Sequence, residues 1–363
     1  MQKADFDKNT TSAIKGIALI LMFIHHFFAY PEWYIESISY PDLAGYVRFF
    51  RYSAKICVPV FAFLTGYFYA YARNKSLRYS LHKITDLLIS YWTVFIPILL
   101  FALMTGYREM SAFGFALGIL GRNISLMTFC WYVSFYCLSM LMLPFLAKDK
   151  EPAPLKDLLL LVFMPVAAST ILEGLIESST LRTMVEEIRL WFPCIASGYL
   201  CAKYRVFDAA NKHLKERPAC LRAMLYALCM VSAMIGRYIC DHLPLGSVSI
   251  FDRVLTVTIN PDLVYAPLFV YGLSMTLQYT RRTFLFPVFQ RIGDQSLLMW
   301  FIHCIFFNVS NGITQPILYG PGHPVLVVIF GLAICYALAL ILSPIADYLI
   351  QTKNHILQKA HLL

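Results

Sequence analysis

The chain has 363 residues, of which 59% are hydrophobic and only 14% charged, against roughly 45–50% and 25% in soluble globular chains. No water-soluble fold hides that much apolar surface, and the apolar runs recur from end to end, so the composition points to a single membrane domain over residues 1–363. The net charge of +9 is scattered over short segments between those runs; without a basic face interleaved with aromatics it argues against nucleic acid and for an anionic lipid surface as the counter-charge.

A hydrocarbon core about 30 Å thick takes roughly 20 apolar residues per helix. In chain order such segments fall at 12–30, 54–72, 84–105, 124–147, 156–176, 187–203, 220–240, 262–280, 295–312 and 324–350. They predict an all-α, polytopic membrane protein of ten transmembrane helices. The stretch Ser111–Gly121 is apolar but too short to span, and reads as a re-entrant or interfacial piece. The first run follows a polar segment, Met1–Thr11, and no small-residue cleavage site comes after it, so a retained helix is expected.

With the N-terminus in the cytoplasm, twenty-one of the thirty basic residues fall on the cytoplasmic side, eight on the other, and Arg237 inside a span. That is the asymmetry of a multi-pass protein of the cytoplasmic membrane, and an even helix count returns the C-terminus to the cytoplasm. The ten cysteines lie mostly inside apolar runs, with no C-x-x-C spacing and no clustered histidines. They predict small core residues and no metal site.

Ionisable groups inside a span are costly and mark candidate functional sites. The first helix carries Lys15 near its cytoplasmic end and the adjacent pair His25 and His26 deeper in; eleven residues at 1.5 Å each put His26 about 16 Å beyond Lys15, in the outer half of the bilayer. Adjacent histidines point about 100° apart and cannot chelate one metal as an i, i+4 pair does. Two roles fit them: polar contacts to neighbouring helices, or a general base in a partly buried cavity. His303, in Phe301-Ile302-His303-Cys304, divides between a satisfied core histidine and a site residue.

The spacing of Lys15 and His26 resembles the Arg/Lys-x10-His motif of the acyltransferase-3 family of membrane acyltransferases. Further segments agree in order: Ile56 to Tyr67 resembles the family's second helix, with Thr65 where serine is commoner; Trp131-Tyr132-Val133-Ser134-Phe135-Tyr136 its Trp-Tyr/Phe helix; and Ile292 to His303 its late Gly-x-x-Ser…His segment. The likeness runs over residues 12 to 310. One departure stands out: the family often carries an Arg-x-x-Arg pair entering the third helix, and here that register reads Lys83-Ile84-Thr85-Asp86, without the second cation.

The resemblance implies an O-acyltransferase moving an acyl group, acetyl from acetyl-CoA above all, onto a hydroxyl of a cell-surface glycan or lipid-linked sugar. The acyl-CoA is a donor substrate, and no permanently bound cofactor is implied. His26 would be catalytic, with His25 orienting it or binding the acceptor. Lys15, Arg73 and Lys83, with Lys75 and Arg78 nearby, would pair with the phosphates of the donor. Arg51, Lys55, Trp131, Tyr132 and His303 would bind the acceptor; interfacial anchoring and aromatic belts are the alternative use of such residues. The rival from another class is a transporter or flippase for a lipid-linked sugar, with the histidines coupling protons. Inverted repeats, its expected sign, are missing from the sequence.

Overall fold

Apolar runs in lipid have one local solution, because each backbone N–H and C=O must be satisfied within its own segment. A computed structural model describes residues 6–30, 44–106, 111–122, 126–147, 151–242, 248–250, 253–255, 260–307 and 311–359. The helices in chain order are α1 (Lys8–Phe27), α2 (Ala44–Ala54), α3 (Cys57–Ala70), α4 (Leu77–Met104), α5 (Ala112–Ile119), α6 (Trp131–Leu146), α7 (Pro154–Leu158), α8 (Met164–Leu175), α9 (Ser179–Lys203), α10 (Val206–Leu214), α11 (Ala219–His242), α12 (Asp262–Tyr279), α13 (Leu285–Asp294), α14 (Ser296–His303), α15 (Asn311–Tyr319) and α16 (Pro324–Lys359). A π-helical turn, Leu159–Phe163, joins α7 to α8.

Among the described residues six stretches are long and apolar enough to cross a membrane: Lys8–Phe27, Gly45–Ala70, Leu77–Met104, Pro154–Leu175, Ala219–Asp241 and Pro324–Lys359. Trp131–Leu146 and Ser296–Phe306 are shorter apolar helices. The segments 187–203 and 262–280 are also helical, as α9 and α12, but more polar.

The boundaries differ from the sequence expectation where polarity misleads. α9 begins at Ser179, well before residue 187, because its early charges are paired: Arg189 Nε lies 3.0 Å from Glu173 Oε2 and its other arm 3.9 Å from Glu186. α16 runs on to Lys359, and its 36 residues make a rod of about 54 Å, longer than the hydrocarbon core. The all-α expectation holds, with one small hairpin between α11 and α12 as the departure. Its strands β1 (Val248–Ile250) and β2 (Arg253–Leu255) pair antiparallel with Val248 opposite Leu255. The residues 124–125 and 308–310, inside two expected spans, lie outside the described residues.

The chain forms two compact units, one made of Met1–His26, Arg48–Ser76 and Met142–Gly293, the other of Phe27–Val47, Leu77–Leu141 and Asp294–Leu363. In the first, α3 packs along α9, α11 along α12, and α12 reaches both α9 and α3. Glycines set the approach. A Cβ on Gly66 would enter the Ile195 carbonyl and one on Gly198 the Phe63 carbonyl, so α3 and α9 touch backbone to backbone. Gly16 of α1 and Gly293 of α13 repeat the device against Phe289 and Ser12. Phe6 stacks on Tyr67 with centroids 4.9 Å apart, which ties the segment before α1 to the far end of α3.

In the second unit α14 lies between α16 and α4. The short apolar stretch resolves as α5, with Ser111 as its N-cap, the Oγ accepting from Gly114 N at 3.0 Å. Its last carbonyls are taken by α4: Tyr91 OH donates to Gly118 O and Trp92 Nε1 to Ile119 O, both at 2.8 Å. Tyr319 OH closes the end of α1 in the same way, donating to Phe27 O at 2.6 Å.

The α3–α9 contact predicts opposite outcomes at two glycines. Gly198→Leu should lower the thermal unfolding midpoint in detergent, with an overpacking cost of about 1–3 kcal/mol or more. Gly174→Ala, where a Cβ meets nothing within 4 Å, should leave it unchanged or raise it by the helix preference of alanine over glycine, about 0.5–1 kcal/mol.

Candidate functional site

α1 runs without a break from Lys8 to Phe27, and this continuity places Lys15 toward one end of the first unit and His25 and His26 at the other. His26 is buried, at 5% exposure, and His25 is partly exposed. The two rings lie 5.2 Å apart at 45°. His25 Nδ1 is 3.0 Å from the carbonyl oxygen of Arg51. A carbonyl only accepts, so Nδ1 of His25 donates the hydrogen bond, which fixes the orientation of the ring.

Beside this contact lies a group of charges that the sequence reading left apart. Lys55 Nζ is 3.3 Å from Asp241 Oδ1. Arg237, one turn earlier on α11, pairs with both Asp241 and Asp262. Asp262 opens α12 and is fully buried, and its backbone N–H donates to Asn260 Oδ1 at 3.1 Å. The Asn260 side chain in turn donates to Leu190 O at 2.9 Å, fixing the start of α12 against α9. The four charges alternate in sign from Lys55 to Asp262. Three enclosed atoms, Arg237 Nε, Asp241 Oδ2 and Asp262 Oδ1, have no hydrogen-bond partner among the described residues. Unmet capacity of this kind in a closed polar cluster is where a water or a ligand hydroxyl is held.

Arg237 was visible in the sequence only as a lone charge in a span. Its i, i+4 relation to Asp241 and the aspartate opening the next run are the signals that mark the cluster.

At the opposite end of the first unit Lys15 is partly buried and Arg73 exposed. Lys75, in the same loop as Arg73, sits 5.0 Å over the Tyr199 ring, and its carbonyl accepts from Tyr69 OH at 3.1 Å. Asp7 and Arg281 pair there at 2.7 Å. The structure thus groups His25 and His26 with Arg51 and Lys55, while Lys15 stands further back along α1 and Arg73 and Lys75 lie in the loop after α3.

The remaining candidates belong to the second unit. Lys83 is 3.8 Å from Asp86 and 6.0 Å over the Tyr79 ring. Asp86 stands where the family often has a second cation, and it has another use: its carboxylate takes Lys353 of α16 at 2.5 Å and lies 3.5 Å from His82 Nε2. Trp131 and Tyr132 open α6, with Tyr132 edge-on to Trp300 at 5.6 Å. His303 has no exposed surface, stacks on Phe129 at 6.0 Å, and contacts the Trp300 carbonyl of its own helix through Nδ1. Next to it the Cys130 and Cys304 sulfurs lie 3.5 Å apart. Among the described residues no three His, Cys, Asp or Glu side chains are grouped so as to hold a metal.

The charge cluster predicts a specific pattern of stability. Arg237→Met leaves Asp262 buried without its partner and should cost about 3–5 kcal/mol, whereas the double variant Arg237→Met/Asp262→Leu should recover much of that loss. A double variant whose destabilisation equals the sum of the Arg237→Met and Asp262→Leu single variants in a thermal or denaturant series would show that the two charges do not interact.

No curated protein and no solved structure matches this chain. The family described as an acyltransferase domain matches residues 12–343, which takes in α1 and most of α16 and reaches past the limit of 310 expected from the motifs. A match over nearly the whole chain, on a helical scaffold with several membrane-length apolar helices, places this protein in the acyltransferase-3 family as a membrane acyltransferase.

Proposed function

We propose that the protein is an acyl-CoA-dependent O-acyltransferase of the cytoplasmic membrane, transferring acetyl or a related acyl group to a hydroxyl of a cell-surface glycan or lipid-linked sugar. All ten apolar segments cross the bilayer in this reading, with both termini cytoplasmic. The observation that carries it is α1, one uninterrupted helix that holds a lysine and a buried histidine about 16 Å apart along its axis.

Lys15, Arg73 and Lys75 pair with the donor phosphates in this reading, and Lys83 of the second unit adds to the cytoplasmic positive charge. A charged head held there leaves the flexible thioester arm to run along the helix toward His26. His26 takes the proton from the acceptor hydroxyl as its oxygen attacks the thioester carbonyl. The carbon–sulfur bond breaks, and the imidazolium returns a proton to the departing thiolate. A two-step route, in which the imidazole first accepts the acyl group and then passes it to the hydroxyl, uses the same atoms. His25, oriented by the Arg51 carbonyl, and the Lys55–Asp241–Arg237–Asp262 cluster hold the hydroxyl-rich acceptor through the unmet oxygens of the two aspartates. Trp131 and Tyr132 offer an aromatic face of the kind sugars pack on, and acceptor contact is their proposed role.

His26→Ala should abolish acyl transfer while leaving the amount of folded membrane protein unchanged. Mass spectrometry of surface glycans from cells with wild type, His26→Ala or no protein measures this. An acetyl-sized mass present only with wild type supports the assignment and names the acceptor class. Unchanged acylation with an altered surface amount favours transport instead. Lys15→Ala should raise the KM for acyl-CoA by roughly tenfold or more, the loss of a hydrogen bond to a charged group, and Lys15→Arg should restore most of it. Equal effects from both substitutions would remove the phosphate-pairing role.

A further inference from the structure

The first unit holds a half-open cavity of about 710 Å³ that the acyl-transfer reading does not use. Its size is that of a small-ligand site. Arg205, Lys212, Lys215 and Arg222 line it against one carboxylate, Asp208, which is already paired with Arg205. Positive-inside anchoring accounts for cations in such a segment, but not for walls built around them.

Those walls are built. Tyr226 and Tyr279 line the cavity, Tyr226 being buried at 4% exposure. The Arg222 guanidinium sits 5.9 Å over the Tyr279 ring. Its Nε is enclosed and has no hydrogen-bond partner among the described residues. Asn211, also in the lining, is held by Tyr271 OH, which donates to its Oδ1 at 2.8 Å and so fixes α10 against α12. Arg205, at the start of α10, is the one non-glycine among the described residues with a positive φ, 52°. That left-handed backbone costs about 1–2 kcal/mol, and strain of this sort gathers at ligand clamps.

Four cations against one carboxylate leave the cavity with an excess of positive charge that a bound anion would offset. We propose that this cavity is a binding site for a phosphate group, carried either by an anionic phospholipid headgroup or by a soluble nucleotide. Arginine supplies the planar fork for phosphate oxygens and the lysines supply point charges. Exposed apolar residues flank the site, Val206 beside Arg205 and Tyr279 in the wall, at 45% and 53% exposure. A basic pocket between helices with such a rim suits a headgroup drawn from the lipid surface. The site is independent of the acyltransferase reading, because binding alone defines it.

The test uses the purified full chain in two arms. Native mass spectrometry counts phosphatidylglycerol retained from mixed phosphatidylglycerol–phosphatidylcholine nanodiscs, and titration calorimetry in pure phosphatidylcholine nanodiscs measures adenosine 3′,5′-bisphosphate as the soluble probe. Wild type should bind one of the two. Arg222→Gln should weaken that binding about tenfold, equivalent to about 1.4 kcal/mol. Lys212→Gln/Lys215→Gln, at two exposed positions that leave the fold intact, should also weaken it. Arg291→Gln/Lys359→Gln, equally exposed and outside the cavity, should not. Lipid retention that the cavity variants lose identifies a headgroup site, bisphosphate binding that they lose a nucleotide site, and binding of either that they leave unchanged overturns the proposal. Loss of binding in the control as large as in the cavity variants, or binding of neither probe, overturns the proposal.

Discussion

A charge taken into the hydrocarbon layer must find its counter-charge in the protein, since lipid tails offer none. Arg237 between Asp241 and Asp262 answers that demand in the first unit, and much of the histidine end of that unit depends on it. Asp262 opens α12, Asp241 closes α11 and takes Lys55 from the α2–α3 junction, and Arg51 one turn before Lys55 presents its carbonyl to His25. One alternating set of charges therefore holds three helix ends in register. Attraction between buried ions seldom exceeds what their desolvation costs, so such a set adds little net stability and much positional definition.

The same unit is held elsewhere by very different means. Lipid tails are as apolar as leucine, so helices in a bilayer associate through close packing, which small residues permit. Gly66 and Gly198 let α3 and α9 meet at their backbones, and Gly16 and Gly293 do this for α1 and α13. Gly16 follows Lys15 in sequence, so Lys15 projects from a stretch of helix whose neighbour α13 is fixed to within a methyl group.

Helix existence was legible in the sequence, because runs of apolar residues in lipid have only one conformation open to them. Each of the ten expected segments contains helix, and the short piece at 111–121 does become the small helix α5. Ends were less legible. The early turns of α9 read as a polar loop because a sequence shows Arg189 and Glu186 but not Glu173 folding across to meet them. Amphipathic helices α10 and α13 were invisible to a search for apolar spans, being too short and too polar. The hairpin β1–β2 has three residues in each strand, too few for an alternation to stand out.

Of the site, the histidines and Lys15 were legible because they violate the apolar pattern of α1. The acidic half was not, since Asp241 and Asp262 sit at the ends of runs where aspartate is ordinary and only the third dimension joins them through Arg237. Asp86 illustrates the converse. From sequence it is the residue that spoils an expected pair of cations after Lys83, yet in the fold its carboxylate gathers Lys353 and His82. A second arginine at that position would face Lys353 as a like charge. The departure from the family pattern and the salt bridge to α16 are thus one adaptation: this part of α4 is committed to holding α16 through Asp86 and Lys353.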